Sequence, residues 1–286
     1  MNSTDNNTPY NIEKQSDNSA QKPLILISND DGVDAPGLHR LIETVKDLGE
    51  VWAVAPDSAK SGQSSAFTTN GPLRIKEHEI YDGARVLSVS GTPVDCVKLA
   101  MHCIVPRKPD LLLSGINHGS NAGNSVIYSG TMGAVFEGCM QGIASVGYSL
   151  LHHSWKADFS ECLPLIREIT SKVIAGGLPE GICLNVNFPA KVKIRGVRTV
   201  RAARSYWTDE YQGYTDPHGK PFYMLTGRQV NTEPGNDATD LYWLDRHYAT
   251  IVPCTASQNA PEIETNALAA VFDRAGESDT ASSETL

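Results

Sequence analysis

Short uninterrupted apolar runs alternate along this chain with stretches in which apolar residues recur every three or four positions. Leu24–Ile27 is the first run, and it predicts a strand buried on both faces. Leu38, Leu41, Ile42, Val45 and Leu48 follow at helical spacing, with Pro36 suited to the first helical position and Gly49 to the stop. Val51–Ala55 is a second strand, so the opening reads as a right-handed βαβ unit. Leu73–Ile75 and Arg85–Val89 predict two strands joined through Tyr81, Asp82 and Gly83. Thr92-Pro93-Val94-Asp95 opens a helix with a capping-box pair, and Val94, Val97, Met101 and Ile104 give its buried face. Asp110–Gly115 is another buried strand. Met132, Val135, Phe136, Cys139, Met140 and Ile143 form a helical face, Ala144–Leu150 a strand, Ser160–Gly176 a helix and Gly181–Phe188 a strand. Strands alternating with helices in this way predict an α/β fold with a mostly parallel sheet.

The pattern changes near Lys191. Arg195–Val200 and Tyr248–Cys254 read as strands, and the stretch from Tyr206 to Tyr223 is aromatic and rich in Gly and Pro. This predicts a β-rich C-terminal extension, whose exposed aromatics would mark either a self-association arm or a base-stacking wall. The expected organisation is a leader over 1–21, poor in apolar residues and disordered, an α/β domain over 22–190, the extension over 191–275, and a disordered tail over 276–286.

Composition narrows the function classes. The chain has 286 residues and a net charge of −9, which argues against a general binder of nucleic-acid polymers. No stretch approaches the roughly 20 apolar residues that span a membrane, and the N-terminus lacks a basic-then-apolar secretory pattern. The six cysteines are scattered with no CxxC pair, so neither a disulfide framework nor a zinc site is expected, and a cytoplasmic setting is. Neither GxGxxG nor GxxxxGK[ST] occurs.

Candidate chemistry follows three of the buried strands. Asp30 and Asp31 end the first, beside Gly32, which permits a turn that lets the two carboxylates converge. Converging carboxylates repel unless a cation or proton lies between them. A divalent metal is one reading; a helix-capping aspartate beside a solvated one is the other. The second strand runs into the small polar loop Pro56–Ser65, which contains Ser61. The third runs into a Gly- and Asn-rich stretch, Ile116–Asn124, and on to Ser129-Gly130-Thr131 at a helix start. The free N–H groups and dipole there suit a phosphate, and plain N-capping is the competing reading. All three lie on the carboxyl edge of one parallel sheet, where such folds bind ligands. Their donors are carboxylate, hydroxyl and amide oxygens, a set for Mg²⁺ or Mn²⁺, with Ca²⁺ a further candidate. Asp95 reads as structural through its capping box, and His152 and His153 as surface or structural residues.

These motifs carry a resemblance. Ser28-Asn29-Asp30-Asp31-Gly32-Val33 with Ala35-Pro36-Gly37 resembles the opening motif of the SurE family of survival nucleotidases. Ala55-Pro56-Asp57 with Ser61-Gly62, then Gly91–Val97, then Ser114–Gly119 with Asn121 and Tyr128–Thr131, resemble its later motifs in order. The resemblance covers residues 24 to about 150 well and thins towards about 255. It implies a Rossmann-like three-layer sandwich whose C-terminal extension is exchanged in homodimers or homotetramers. It further implies a metal-dependent phosphatase acting on nucleoside 5′-monophosphates, often 3′-monophosphates, and sometimes short polyphosphate. In this chain the metal ligands would be Asp30, Asp31, Ser61 and Asn117, and the phosphate contacts Asn121, Ser129, Gly130 and Thr131. Asp30 or Asp31 could also serve as base or nucleophile. A non-catalytic nucleotide-binding protein on the same fold is the alternative.

Overall fold

The computed structural model describes residues 22–78, 83–259, 265, 268–269 and 271–272. The leader over 1–21, the tail over 276–286 and the Tyr81-Asp82 turn therefore lie outside the described residues. The chain divides into two compact units, Met1–Ala256 and Ser257–Leu286. The second has helical residues at 265, 268–269 and 271–272.

The first unit is built on β1 (Leu24–Ser28), β2 (Glu50–Pro56), β3 (Ile75–Glu77), β4 (Ala84–Val89), β5 (Leu111–His118), β6 (Ala144–Leu150), β7 (Ile182–Phe188), β8 (Val197–Thr199) and β13 (Ala249–Thr255). They form one nine-stranded sheet in the order β3-β4-β2-β1-β5-β6-β7-β13-β8. The six strands from β4 to β7 run parallel. At the two ends β3 is antiparallel to β4, and β13 is antiparallel to β7. Helices α1 (Pro36–Val45) and α4 (Leu163–Gly176) cover one face, and α2 (Pro93–Leu99) and α3 (Gly130–Met140) the other. This is the expected three-layer α/β arrangement. In β1 the alternation is visible directly: Ile25 and Ile27 pack in the α1/α4 layer, Leu24 and Leu26 in the α2/α3 layer, all fully buried.

The strand order reverses at β1. β2 lies on one side of it and β5 on the other. The crevice at such a switch point, outside the carboxyl ends, is where open α/β sheets bind ligands. Asp30 and Asp31 leave β1 there, and Asn117 leaves β5 there.

Several boundaries differ from the pattern. β5 does not stop at Gly115 but continues to His118, with a register shift against β6 between Ser114 and Asn117. Gly115, at φ +131°, makes this possible, because a Cβ would stand 2.3 Å from the Tyr148 carbonyl oxygen. Helix α2 ends at Leu99 and continues as a π turn over Ala100–Ile104, which brings Ala100 and Ile104 inward and leaves Met101 half-buried. Helix α4 starts at Leu163, not Ser160, with Pro164 in its first turn. Helix α1 ends at Val45; Gly49 serves instead to let the chain pass the Pro23 carbonyl, 2.3 Å from where a Cβ would lie.

Beyond residue 190 the chain completes the sheet and also leaves it. β8 and β13 join the edge, while β9 (Ser205–Thr208) pairs with β12 (Arg228–Asn231), and β10 (Tyr211–Thr215) with β11 (Pro221–Leu225). The two pairings form an antiparallel arm with β9/β12 at its base and β10/β11 at its tip. Helix α5 (Asp240–Leu244) precedes β13.

Candidate active site

At the end of β1 the Asn29 side chain closes a tight turn: its Nδ2 donates to the Gly32 carbonyl at 2.9 Å, and its Oδ1 accepts from the Gly32 N–H at 3.2 Å. Gly32, at φ +102°, supplies the left-handed conformation the turn needs. Asp30 and Asp31 therefore leave the extended path and address different neighbours. Asp30 is buried against the start of α3, where its Oδ1 accepts from the Thr131 hydroxyl at 2.5 Å. Gly130 leaves room for it, since a Cβ there would meet the Asp30 Cβ at 2.7 Å. Asp31 turns to β5, where its Oδ2 accepts from the His118 backbone N–H at 3.0 Å.

Burial pushes the Asp30 carboxyl up to about 7, and the negative charge of Asp31 adds to the effect; hydrogen bonds from the Thr131 hydroxyl and backbone N–H oppose it. Burial also raises Asp31, against the hydrogen bond from His118. No lysine or arginine among the described residues is an electrostatic neighbour of either carboxylate. Asp30 is buried and Asp31 half-buried, and the His118 and His153 rings act on Asp31 alone. A buried carboxylate beside a second one is unfavourable unless a proton or a cation serves it.

Asn117 lies one residue before the His118 N–H that holds Asp31. Its Nδ2 donates to the Gly119 carbonyl at 3.0 Å, which leaves its amide oxygen as the group to face a cation. Ser61 is exposed on the loop after β2. That loop is tied to both other elements: the Lys60 N–H donates to the Asp30 carbonyl at 2.7 Å, and Ser64 N–H and Oγ donate to the Tyr128 and Ile127 carbonyls at 3.2 and 2.6 Å. The four oxygen donors singled out in the sequence are thus carried by three loops joined at one sheet edge. Among the described residues no group of three or more His, Cys, Asp or Glu side chains could hold a metal. The donor chemistry present is two carboxylates with a hydroxyl and an amide oxygen, which fits a hard divalent cation.

Of the phosphate candidates, Ser129, Gly130 and Thr131 open α3. Ser129 is its N-cap, accepting from the Met132 N–H at 3.0 Å, so its hydroxyl hydrogen stays free to donate. Thr131 turns its hydroxyl to Asp30. Asn121 is buried, its Nδ2 donating to Ser149 Oγ at 2.8 Å and its N–H to Asn187 Oδ1 at 2.9 Å. Asp95, read as structural, closes the capping box of α2 with Thr92.

Some contributors were not singled out. His118 fixes Asp31 through its backbone, and its ring is clamped between the Gly37 N–H (3.3 Å to Nε2) and the Ser154 carbonyl (3.0 Å from Nδ1). Because Nε2 accepts, Nδ1 carries the proton. His153, set aside as surface or structural, has its Nδ1 3.2 Å from the His118 carbonyl. Asn185 and Asn187 build the floor under Asn121; two amides at alternate positions of an otherwise apolar strand were a visible signal for them. Ser28 and Ser114, register partners on β1 and β5, are buried hydroxyls with no hydrogen-bond partner among the described residues.

Comparison with known proteins identifies the family. A family model described as Survival protein SurE matches residues 25–209. A protein named 5′-nucleotidase SurE from Phocaeicola vulgatus is 47% identical over 233 residues, covering 82% of this chain and 91% of its own. Its namesake from Christiangramia forsetii is 46% identical over 237 residues, covering 82% and 91%. The crystal structure of the SurE protein from Aquifex aeolicus superposes with a TM-score of 0.75 at 33% identity, covering 88% of this chain and all of that one. With the ordered motifs, the switch-point geometry and these likenesses together, the chain belongs to the SurE family.

Proposed function

We propose that this chain is a divalent-metal-dependent phosphoric monoester hydrolase that releases phosphate from nucleoside 5′-monophosphates, with 3′-monophosphates and short polyphosphate as further substrates. The observation that carries the reading is the adjacent Asp30–Asp31 pair at the switch point, Asp30 buried against the N-terminus of α3 with no lysine or arginine among its electrostatic neighbours and Asp31 half-buried against β5. Asp30, Asp31, Ser61 and Asn117 would hold Mg²⁺ or Mn²⁺, with Ca²⁺ also compatible with all-oxygen ligation. When bound, the metal supplies a Lewis acid for a phosphoryl oxygen and lowers the pKa of a coordinated water. The Ser129 hydroxyl, the Gly130 N–H and the Asn121 amide donate to the phosphoryl oxygens at the positive end of the helix. Thr131, the remaining phosphate candidate, gives its hydroxyl hydrogen to Asp30 and would have to release it to donate to a phosphoryl oxygen. Donors held in place before the reaction stabilise charge on the transferring group without reorganising.

Support for the substrate comes from the relatives' names, 5′-nucleotidase SurE. The arm at Tyr211–Leu225, with Tyr211, Tyr223 and Leu225 exposed, suits a homodimer or homotetramer. Six unpaired cysteines suit a reducing, cytoplasmic compartment.

The test is phosphate release from AMP and GMP by the full chain loaded with Mn²⁺ or Mg²⁺. EDTA should abolish turnover, and Asp31→Ala should lower kcat/KM by about 100-fold or more. Saturable AMP binding without phosphate release would instead mark a non-catalytic nucleotide-binding protein.

A further inference from the structure

The segment Ala122–Ser125 lies between Asn121 and the Ser129–Thr131 start of α3, so its backbone sets how the two sides of the phosphate cradle face each other. The α/β core does not hold this segment alone. Residues beyond 200 grip it. The Gly123 N–H donates to Asp240 Oδ2 at 2.8 Å. The Asn124 N–H and Nδ2 donate to the Ser205 Oγ and carbonyl at 3.0 and 2.7 Å. Gln229 Nε2 donates to the Ala122 carbonyl at 3.0 Å and stands 3.2 Å from Ser125 Oγ. The grip is close: Gly123 sits at φ +59°, and a Cβ on it would come within 2.6 Å of Ser205 Oγ and 2.9 Å of Gln229 Nε2.

Asp240 anchors the arrangement. Its carboxylate is fully buried at the start of α5. Oδ1 accepts from the Ala203 N–H at 2.8 Å and the Leu241 N–H at 2.7 Å, while Oδ2 accepts from Gly123. A buried carboxylate is costly unless hydrogen-bonded. Here its bonds gather three separate stretches of backbone at one point, one of them the loop that joins the phosphate contacts.

We propose that Asp240, assisted by Gln229 at the base of the arm, is a positioning residue for phosphate binding: it fixes the Ala122–Ser125 backbone and so the geometry between Asn121 and the N-terminus of α3. The inference rests on the nucleotidase reading of the site. Neither residue belongs to the metal or phosphate contacts, so each acts through the loop alone.

Asp240→Asn is a selective probe, because one oxygen serves two N–H groups and the other serves one. The favoured amide orientation keeps its oxygen on Ala203 and Leu241 and turns its NH₂ against the Gly123 N–H. On the full chain with Mn²⁺, KM for AMP and the inhibition constant of inorganic phosphate should both rise about tenfold, with a smaller change in kcat. Mn²⁺ affinity, measured by calorimetry, should be unchanged. Gln229→Ala should move the same two constants in the same direction by a smaller factor, about threefold. A folded Asp240→Asn protein with wild-type KM and phosphate inhibition overturns the inference, and so does loss of Mn²⁺ binding in step with phosphate binding. If Asp240→Asn does not fold, Gln229→Ala decides by itself, unchanged constants counting against the inference. If the wild type releases no phosphate from AMP, the nucleotidase reading fails on its own. The inference is then read from calorimetric binding of inorganic phosphate to the Mn²⁺-loaded wild type and variants, where equal affinities or no binding overturn it.

Discussion

At the scale of single residues, Asp30 concentrates the chemistry. Its folded-state pKa, raised to about 7 chiefly by burial, means that the metal-free protein retains a proton there that the unfolded chain releases near 3.8. The folded state then binds more protons than the unfolded one between those values, so stability falls as pH rises through the window. The loss is complete above about pH 7, and roughly 2–4 kcal/mol is the scale for such a shift. In EDTA the melting temperature is expected to drop between about pH 5 and pH 8, and Asp30→Asn is expected to flatten that slope; Mn²⁺ at saturation should do the same in the wild type. A melting temperature that rises with pH in EDTA over this range would contradict the assignment. Asp30, Asp31 and Gly32 were readable because their meaning is local: a buried run, two carboxylates, a turn. That Thr131 serves Asp30 and that the His118 backbone serves Asp31 was not readable, because those partners are 101 and 87 residues away.

Among the elements, α2 shows how much a local motif conveys and where it stops. Thr92 and Asp95 form the capping box that their spacing predicts. Asp95 also accepts from the Thr68 N–H at 2.9 Å and Oγ1 at 2.7 Å, which ties the segment after the Ser61 loop to the helix start. Burial works to raise Asp95, yet the bonds from Thr68 and Thr92 hold it below the usual carboxylate range. Asp95→Ala should therefore cost about 2–3 kcal/mol, more than a cap alone, because three bonded groups lose a partner. Chemical denaturation checks this, and Mn²⁺ affinity of the folded fraction should survive, since Asp95 is no metal donor. The extension of β5 to His118 shows the opposite case. Ile116 and Asn117 read as loop residues beyond a strand ending at Gly115, but pairing with β6 across a one-residue bulge carries the strand on to His118.

For the whole molecule, the arm is the feature that calls for a partner. Tyr211, Tyr214, Phe222, Tyr223, Met224 and Leu225 are all exposed on its two-stranded tip, and an isolated hairpin of this kind is marginal in water. Tyr223→Asp with Leu225→Asp is expected to lower the mass measured by light scattering to that of a single chain while Mn²⁺ binding persists. An unchanged mass would show that the tip is not the self-association surface. The base of the same arm, through Gln229, touches the Ala122–Ser125 loop. Dissociation is therefore expected to weaken phosphate binding more than metal binding.

The main strands and helices of the α/β core, the α/β class, the acidic pair and the helix start at Ser129 were legible along the chain, because each depends on neighbours within a few positions: alternation or run length for strands, three-to-four spacing for helices, an i, i+3 pair for a cap. The four strands of the arm and helix α5 were not. The order in which the strands lie was not legible. It puts β5 beside β1, inserts β13 between β7 and β8, and brings Thr131 to Asp30, the His118 backbone to Asp31 and the Lys60 backbone of the second loop to the Asp30 carbonyl. Nor was the anchoring of the Gly123 loop by Asp240, across 117 residues. Such contacts depend on which surfaces bury one another, and a residue's type does not record the partner that packing will assign to it.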